Sequence, residues 1–368
     1  MSANDAAVAA LLEWYEREKR DLPWRGESDP YRIWISEIML QQTRVETVKG
    51  YYARFLERFP TGEALARAPL QDVLKLWEGL GYYSRARHLH EAARVIWQSA
   101  GAFPNSWQRL RALPGVGDYT AGAVASIAFG ERVPAVDGNV RRVASRFFGV
   151  RESVESPAVQ RALRALVADT VPEASPGRYN QALMELGATL CAPVAPKCEL
   201  CPWQPYCDAC AEGDADSLPV HEKKRPPKAV DVAVCLLTLE GRVLVARRRE
   251  RMLGGLYVFM LIEDETDPAR VRERLCEIGF RCGAPRALGQ ARHVFTHRTW
   301  EMLLYQLALL EPPDERLLEE LDARLVTLPE MEALPFPAAM RAARDAARRL
   351  LGGEGVSALG DAPEQQPL

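Results

Sequence analysis

The sequence predicts a multi-domain protein, an all-α half followed by a smaller α+β half. Three observations predict it. Up to about residue 210, apolar residues recur at helical spacing between short Pro/Gly turns, and no alternating strand runs occur. Residues 211–229 (AEGDADSLPVHEKKRPPKA) are polar, charged and proline-containing, as a linker should be. Beyond them the pattern turns to β. A chain of 368 residues has room for two or three such domains.

The elements follow in order. Residues 5–19 read as an amphipathic helix with Val8, Leu11, Leu12 and Tyr15 on one face. LPWR (22–25) and SDPY (28–31) are turns, and Asp29 before Pro30 is a helix N-cap with proline at the first helical position. A helix is expected from about Tyr31 through the QQT segment. Further helices are punctuated by FPTG (59–62), GLGYYS (79–84), GAFPNS (101–106), LPGVGDY (113–119), VPAVDGN (133–139) and VPEASPG (171–177). In the second half, 230–239 and 242–247 read as a hairpin about Gly241. A helix is expected at 268–278, a strand at 301–310 and a terminal helix at 336–351. The last residues, 351–368, are expected to be disordered.

Composition narrows the class. Hydrophobic residues make up 48% and charged residues 26%, which excludes collagen, coiled coil and wholesale disorder. Lys+Arg 47 against Asp+Glu 50 gives a net charge of −3, so any nucleic-acid face must be a local patch. Apolar runs are broken by charge long before a membrane span, and the acidic MSAND start is no signal peptide. The expected compartment is the cytoplasm, where eight cysteines are thiols and metal ligands rather than disulfides.

Two constellations carry chemistry. Cys191, Cys198, Cys201 and Cys207 stand as C-x6-C-x2-C-x5-C, which suits one compact tetrahedral object, a zinc ion or a [4Fe–4S] cluster. Cys207 and Cys210 form a second C-x2-C, but the loop between the two pairs is short for a two-pair zinc site. Cys235, Cys276 and Cys282 lack ligand spacing and read as core or surface thiols. In Leu113-Pro-Gly-Val-Gly-Asp-Tyr-Thr120, Gly115 and Gly117 permit a tight turn ahead of a helix. Alone, the pattern fits any turn between helices; the reading it favours is a phosphate seat of free backbone amides, a helix–hairpin–helix grip on DNA that reads no sequence. Glu37 lies among Ile35, Ile38, Met39 and Leu40, an unusual place for an acid unless it is paired or working.

LPGVG, the following helix, VDGNVRRV (136–143) and the four-cysteine loop occur in that order and spacing. Together they resemble the endonuclease III superfamily of base-excision DNA glycosylases. WISEIMLQQTRVETV (34–48) and GLGYYSRARHLH (79–90) narrow the resemblance to its adenine-removing branch, over about residues 8–350. The resemblance implies an all-α helix-hairpin-helix glycosylase domain with a [4Fe–4S] loop over 1–210. Its six-helix part would lie at about 21–129, and its cluster part at about 1–20 and 130–210. An α+β Nudix-like domain over 230–350 would follow the linker.

The resemblance also implies an activity: monofunctional removal of adenine mispaired with 8-oxoguanine or guanine in double-stranded DNA, by a bacterial, nucleoid-associated monomer with no membrane partner. Bifunctional relatives carry a lysine nucleophile where this chain has Tyr119. Adenine leaves poorly as an anion, so Glu37 is expected to protonate it and Asp137 to stabilise the oxocarbenium-like sugar. Tyr119 and Asn139 would line this catalytic site. Arg25, Gln41, Gln42, Tyr82, Gly115, Val116 and Gly117 would contact DNA, with Arg85 or Arg87 and Arg141 and Arg142 as further candidates. The linker run Lys223-Lys-Arg225 with Lys228 reads as a solvated tether.

In the second half, RERLCEIG (272–279) places Cys276 where a Nudix metal-binding glutamate is expected, and FMLIEDET (259–266) replaces the usual glycine-rich stretch. A fold without hydrolase activity is implied. Phe295, Thr296 and His297 match the family's lesion-facing loop, with Thr296 in place of serine. Two rivals remain: a bifunctional endonuclease III-type lyase acting on pyrimidine lesions, and a catalytically silent DNA-damage-binding module.

Overall fold

The computed structural model describes residues 3–99, 101–222, 226–250 and 252–352. The tail expected to be disordered lies, from residue 353 on, outside the described residues, as do Lys223, Lys224 and Arg225. Contacts divide the chain into two compact units, Met1–Ala68 with Arg85–Lys224, and Pro69–Ser84 with Arg225–Leu368.

The first unit is helical and organised around the helix Asp118–Phe129. Every residue from Thr120 to Ser126 is buried, and the run Thr-Ala-Gly-Ala-Val-Ala-Ser is small enough for neighbours to approach closely. Helix Pro30–Leu40 packs on it, as does helix Pro176–Thr189. A Cβ on Gly122 would stand 2.3 Å from the Pro134 carbonyl oxygen, so only glycine admits the 133–137 segment here. Fully buried Asn180 then holds that segment. Its Oδ1 accepts from the Ala135 amide (3.0 Å) and its Nδ2 donates to the Val133 carbonyl (2.9 Å). Asp29 caps helix Pro30–Leu40 by accepting from the Tyr31 amide, as its sequence setting predicts. That helix ends at Leu40, so the QQT segment forms a turn rather than its last turn of helix.

The second unit is a seven-stranded mixed sheet. Strand Lys228–Leu239 is central. It runs antiparallel to Arg242–Arg247 and Met260–Glu263 and parallel to Arg298–Ala308. Val230, Val232, Val234 and Leu236 face a core shared with Phe336 and the helix Arg341–Leu351. Ala233, Cys235 and Leu237 face the other core, under helix Pro268–Ile278. Burial on both faces explains the unbroken apolar run VAVCLL. Glu240 (φ 47°) and Gly241 (φ 72°) make a two-residue hairpin turn whose positive φ angles match the strand twist.

Two boundaries differ from the sequence reading. Residues 69–84, read with the helical half, cluster with the second unit. Lys75 Nζ donates to the carbonyls of Glu332 (2.6 Å) and Leu334 (3.1 Å), and Tyr83 Oη donates to Phe336 O (3.0 Å). Ties to backbone groups some 250 residues away leave no local signal. Residues 211–222, read as linker, pack on the first unit. Leu218 is buried, its carbonyl accepts from Arg146 Nε (2.9 Å), and Val220 O accepts from the Val154 amide (3.0 Å). Strand Arg286–Val294 was not predicted, because its polar, half-exposed sequence ALGQARH lacks an apolar alternation. Among the described residues, no helix is long and apolar enough to cross a membrane.

Candidate active site

Three elements of the first unit bring the carboxylates together with Tyr119. Helix Pro30–Leu40 is buried at eight of its positions, Glu37 among them at 6% exposure. The helix that begins at Asp118 supplies Tyr119, whose hydroxyl donates to Glu37 Oε2 and lies 3.3 Å from Met184 Sδ. Burial pushes the Glu37 carboxyl up to about 7. The tyrosine hydrogen bond opposes that rise, the negative charge of Asp137 adds to it, and Arg25 opposes it at longer range. An acid at that value is part protonated and part ionised at neutral pH, the property a general acid needs.

Asp137 is the N-cap of helix Gly138–Phe147, and its charge acts on Glu37. Its Oδ1 accepts from the Val140 amide (2.7 Å) and its Oδ2 from Asn139 Nδ2 (3.2 Å). Burial raises the Asp137 carboxyl, and these hydrogen bonds and Arg142 pull it back. Asn139 is fixed in turn. Arg142 Nη2 donates to Asn139 Oδ1 (2.9 Å) and to Gly187 O (2.8 Å), while Arg142 Nε donates to Cys191 O (2.8 Å). A Cβ on Gly187 would meet Asn139 Cβ at 2.8 Å, so that glycine admits Asn139.

Several arginines expected at DNA are used inside the fold. Arg25 pairs with fully buried Glu185 (2.5 Å) and donates to Tyr15 Oη (2.6 Å), and Arg20 grips the same carboxylate at 2.7 and 2.9 Å. Arg20 and Arg25 together neutralise the buried Glu185, which would be costly to leave unpaired. Arg85 is buried, and its guanidinium donates to the carbonyls of Ile38 (3.0 Å), Met39 (2.9 Å) and Gln41 and to Thr43 Oγ1 (3.1 Å). It caps the helix that carries Glu37 and shapes the turn after it. Arg142 likewise bridges Asn139 to the cysteine loop. Arg87 and Arg141 are half-buried.

The remaining DNA candidates are exposed in different ways. Gln42 stands exposed in the left-handed region (φ 56°), while half-buried Gln41 donates to Thr120 Oγ1 (3.0 Å). Tyr82, in the second unit, is 49% exposed with φ 47°. Exposed non-glycine residues held at positive φ are characteristic of functional turns. Gly115 (φ 70°) and Gly117 are exposed, no side chain caps the helix that starts at Asp118, and Val116 is buried. The hairpin therefore offers backbone amides, with Val116 as its anchor.

Cys191, Cys198, Cys201, Cys207 and Cys210 line one recess together with Arg146 and Trp203. Arg146 Nη1 donates to Cys191 Sγ (3.2 Å). Burial and mutual proximity push the thiols of Cys198 and Cys201 up to about 11 and about 12. Among the described residues, no three such side chains converge as a single ion requires.

In the second unit, Phe295, Thr296 and His297 form the tip between strands Arg286–Val294 and Arg298–Ala308. Phe295 is half-buried with its ring edge-on to Trp300 (5.0 Å) and His293 (4.5 Å), so it anchors the tip, and Thr296 and His297 are presented. Helix Pro268–Ile278 bears exposed Cys276, and its Glu277 pairs with Arg274 (2.9 Å).

Residues 35–169 match the family described as HhH-GPD superfamily base excision DNA repair protein, and residues 232–346 match the NUDIX domain. A curated relative from Mus musculus, "Adenine DNA glycosylase", is 37% identical over 82% of this chain and 70% of its own length. This chain belongs to the adenine DNA glycosylase family. The human relative of the same name is 36% identical, and the match covers 66% of its length and 82% of this chain. Among solved structures, "Structure of a thermostable thymine-DNA glycosylase" matches at 33% identity and a TM-score of 0.52, covering 57% of this chain and 97% of that one. The family assignment agrees with the helix–hairpin–helix half and the Nudix-like half expected from the sequence.

Holding Glu37 in its apolar site has a stability signature. The folded value lies above the ordinary 4.5, so the site is most favourable to folding at low pH. That contribution is lost as pH rises from about 4.5 to about 7. Glu37→Gln mimics the protonated acid and does not titrate. Its stability relative to wild type is expected to improve between pH 4.5 and pH 8 by about 3 kcal/mol. Denaturant unfolding at the two pH values measures this; a difference independent of pH would refute it.

Proposed function

We propose that the protein is a monofunctional glycosylase that hydrolyses the N-glycosidic bond of adenine paired with 8-oxoguanine or guanine in double-stranded DNA. The observation that carries the reading is the buried Glu37–Tyr119 pair beside Asp137, with a phenol where a lyase would need an amine. Protonated Glu37 gives its proton to adenine N7 as the bond to the sugar breaks. Asp137, whose carboxyl oxygens accept from the Val140 amide and Asn139, stabilises the developing cation. Water adds to that carbon and returns a proton to Glu37, which restores the starting state.

DNA is held by the 115–117 hairpin amides, and extrusion of adenine is assisted by the exposed Gln42 and Tyr82 turns. Arg25, Arg85 and Arg142 drop out as direct contacts and act through the residues they fix. Thr296 and His297 are proposed to face the 8-oxoguanine, with Phe295 supporting them. The second domain reads the lesion and does not hydrolyse nucleotides, with Cys276 at the position of a metal-binding carboxylate.

The four cysteines at 191–207 suit a [4Fe–4S] cluster. Thiols pushed up by burial and by one another ionise only against a positive centre, and the cysteines line one recess. When bound, the cluster would serve a structural role, tying the cysteine loop to the helix that Asp137 caps.

Three outcomes are expected. A labelled duplex with one A:8-oxoG pair, under single turnover, should yield strand breaks only after hot alkali; breaks without alkali would restore the bifunctional reading, and tight binding with no product the silent sensor. Tyr119→Phe removes a hydrogen bond that favours the carboxylate, so the fall in rate above about pH 7 should move to higher pH. A limb that stays put or moves down would separate Tyr119 from the control of Glu37. Thr296→Ala with His297→Ala should narrow the preference for A:8-oxoG over A:G while excision from A:G persists; an unchanged ratio would remove the tip from lesion recognition.

A further inference from the structure

We propose that Cys210 is a reserve ligand of the cluster, able to take the iron that Cys198 otherwise holds. The inference rests on the cluster reading above and deepens it. Four ligands complete such a cluster, and this chain places five thiols in one recess. Cys210 stands on the short helix Asp208–Ala211, whose N-cap is Cys207. Its amide donates to the Cys207 carbonyl (3.2 Å), which ties its backbone to a ligand residue. Its thiol is hydrogen-bonded to that of Cys198, on the 198–200 turn. Cys198 is therefore the ligand whose place Cys210 can reach. Buried Ala209 anchors the short helix beneath it, so the thiol is held by packing rather than carried on a loose loop.

The exchange balances without an oxidant or reductant. The Cys210 thiol loses its proton to solvent and its sulfur bonds to iron. The Cys198 sulfur–iron bond breaks, and that thiolate takes up a proton. Iron and sulfide keep their oxidation states.

The test compares iron and sulfide content and the visible spectrum of purified wild type, C198A, C201A, C210A and C198A/C210A. The Cys210 thiol is bonded to that of Cys198, so rescue should be selective for the loss of Cys198. C198A is expected to hold iron with a shifted spectrum, whereas C201A and the double variant lose it. Loss of a ligand should cost at least what loss of an outer-shell partner costs, so C198A should hold about tenfold more iron than C198A/C210A. C198A as empty as C201A would overturn the proposal. Should C198A be insoluble, release of iron to a chelator decides between wild type and C210A: faster release from C210A supports the reserve ligand, and equal rates refute it. Zinc or no metal in the wild type would instead overturn the cluster reading itself, a result distinct from both.

Discussion

The helix Gly138–Phe147 is the constraint on which the site depends. Asp137 caps its first turn, and Asn139, Arg142 and Arg146 follow along it at helical spacing. Through them one rigid element joins a carboxylate to the cysteine loop. Asp137 meets Asn139, Asn139 meets Arg142, Arg142 meets the Cys191 carbonyl, and Arg146 meets the Cys191 sulfur. The capping bond from Val140 and the bond from Asn139 oppose the rise that burial imposes on the Asp137 carboxyl, and Arg142 fixes Asn139 in place to do so. Gly187 admits Asn139 to this chain of contacts, and Gly122 admits the Pro134–Ala135 segment that leads into Asp137.

Burial raises both carboxyls, and they differ in how many donors oppose it. Glu37 receives a hydrogen bond from Tyr119, and burial dominates, pushing it up to about 7. Asp137 accepts from the Val140 amide and from Asn139, which pull against the rise. Arg85 caps the C-terminus of the Glu37 helix and so holds the acid and the Gln42 turn in one frame. Arginines that look like surface contacts in the sequence are instead the internal ties that make two carboxylates and a turn rigid.

In the second unit, burial on both faces of the central strand leaves the hairpin tip at 295–297 as a protruding feature. Trp300 beneath Phe295 makes the tip a supported projection. The same unit takes in residues 69–84, and with them the strained Tyr82 turn. A short segment of the N-terminal half is thereby built into the unit that carries the 295–297 tip.

Much of this was legible in the sequence. The helical half, the hairpin strands about Gly241, the Asp29 cap, the cysteine spacing and the pairing of Glu37 with Asp137 through a recognised motif are all local or motif-borne signals. They depend on periodicity, on φ requirements and on residue types that few other jobs call for. The partners of Arg25, Arg85 and Arg142, the placement of residues 69–84, the docking of 211–222 and the recess shared by Cys198 and Cys210 were decided only by the tertiary structure. A guanidinium carries the same charge whether it meets a phosphate, a buried glutamate or a helix terminus. Which of these it meets depends on groups distant in sequence that folding brings within 3 Å of it.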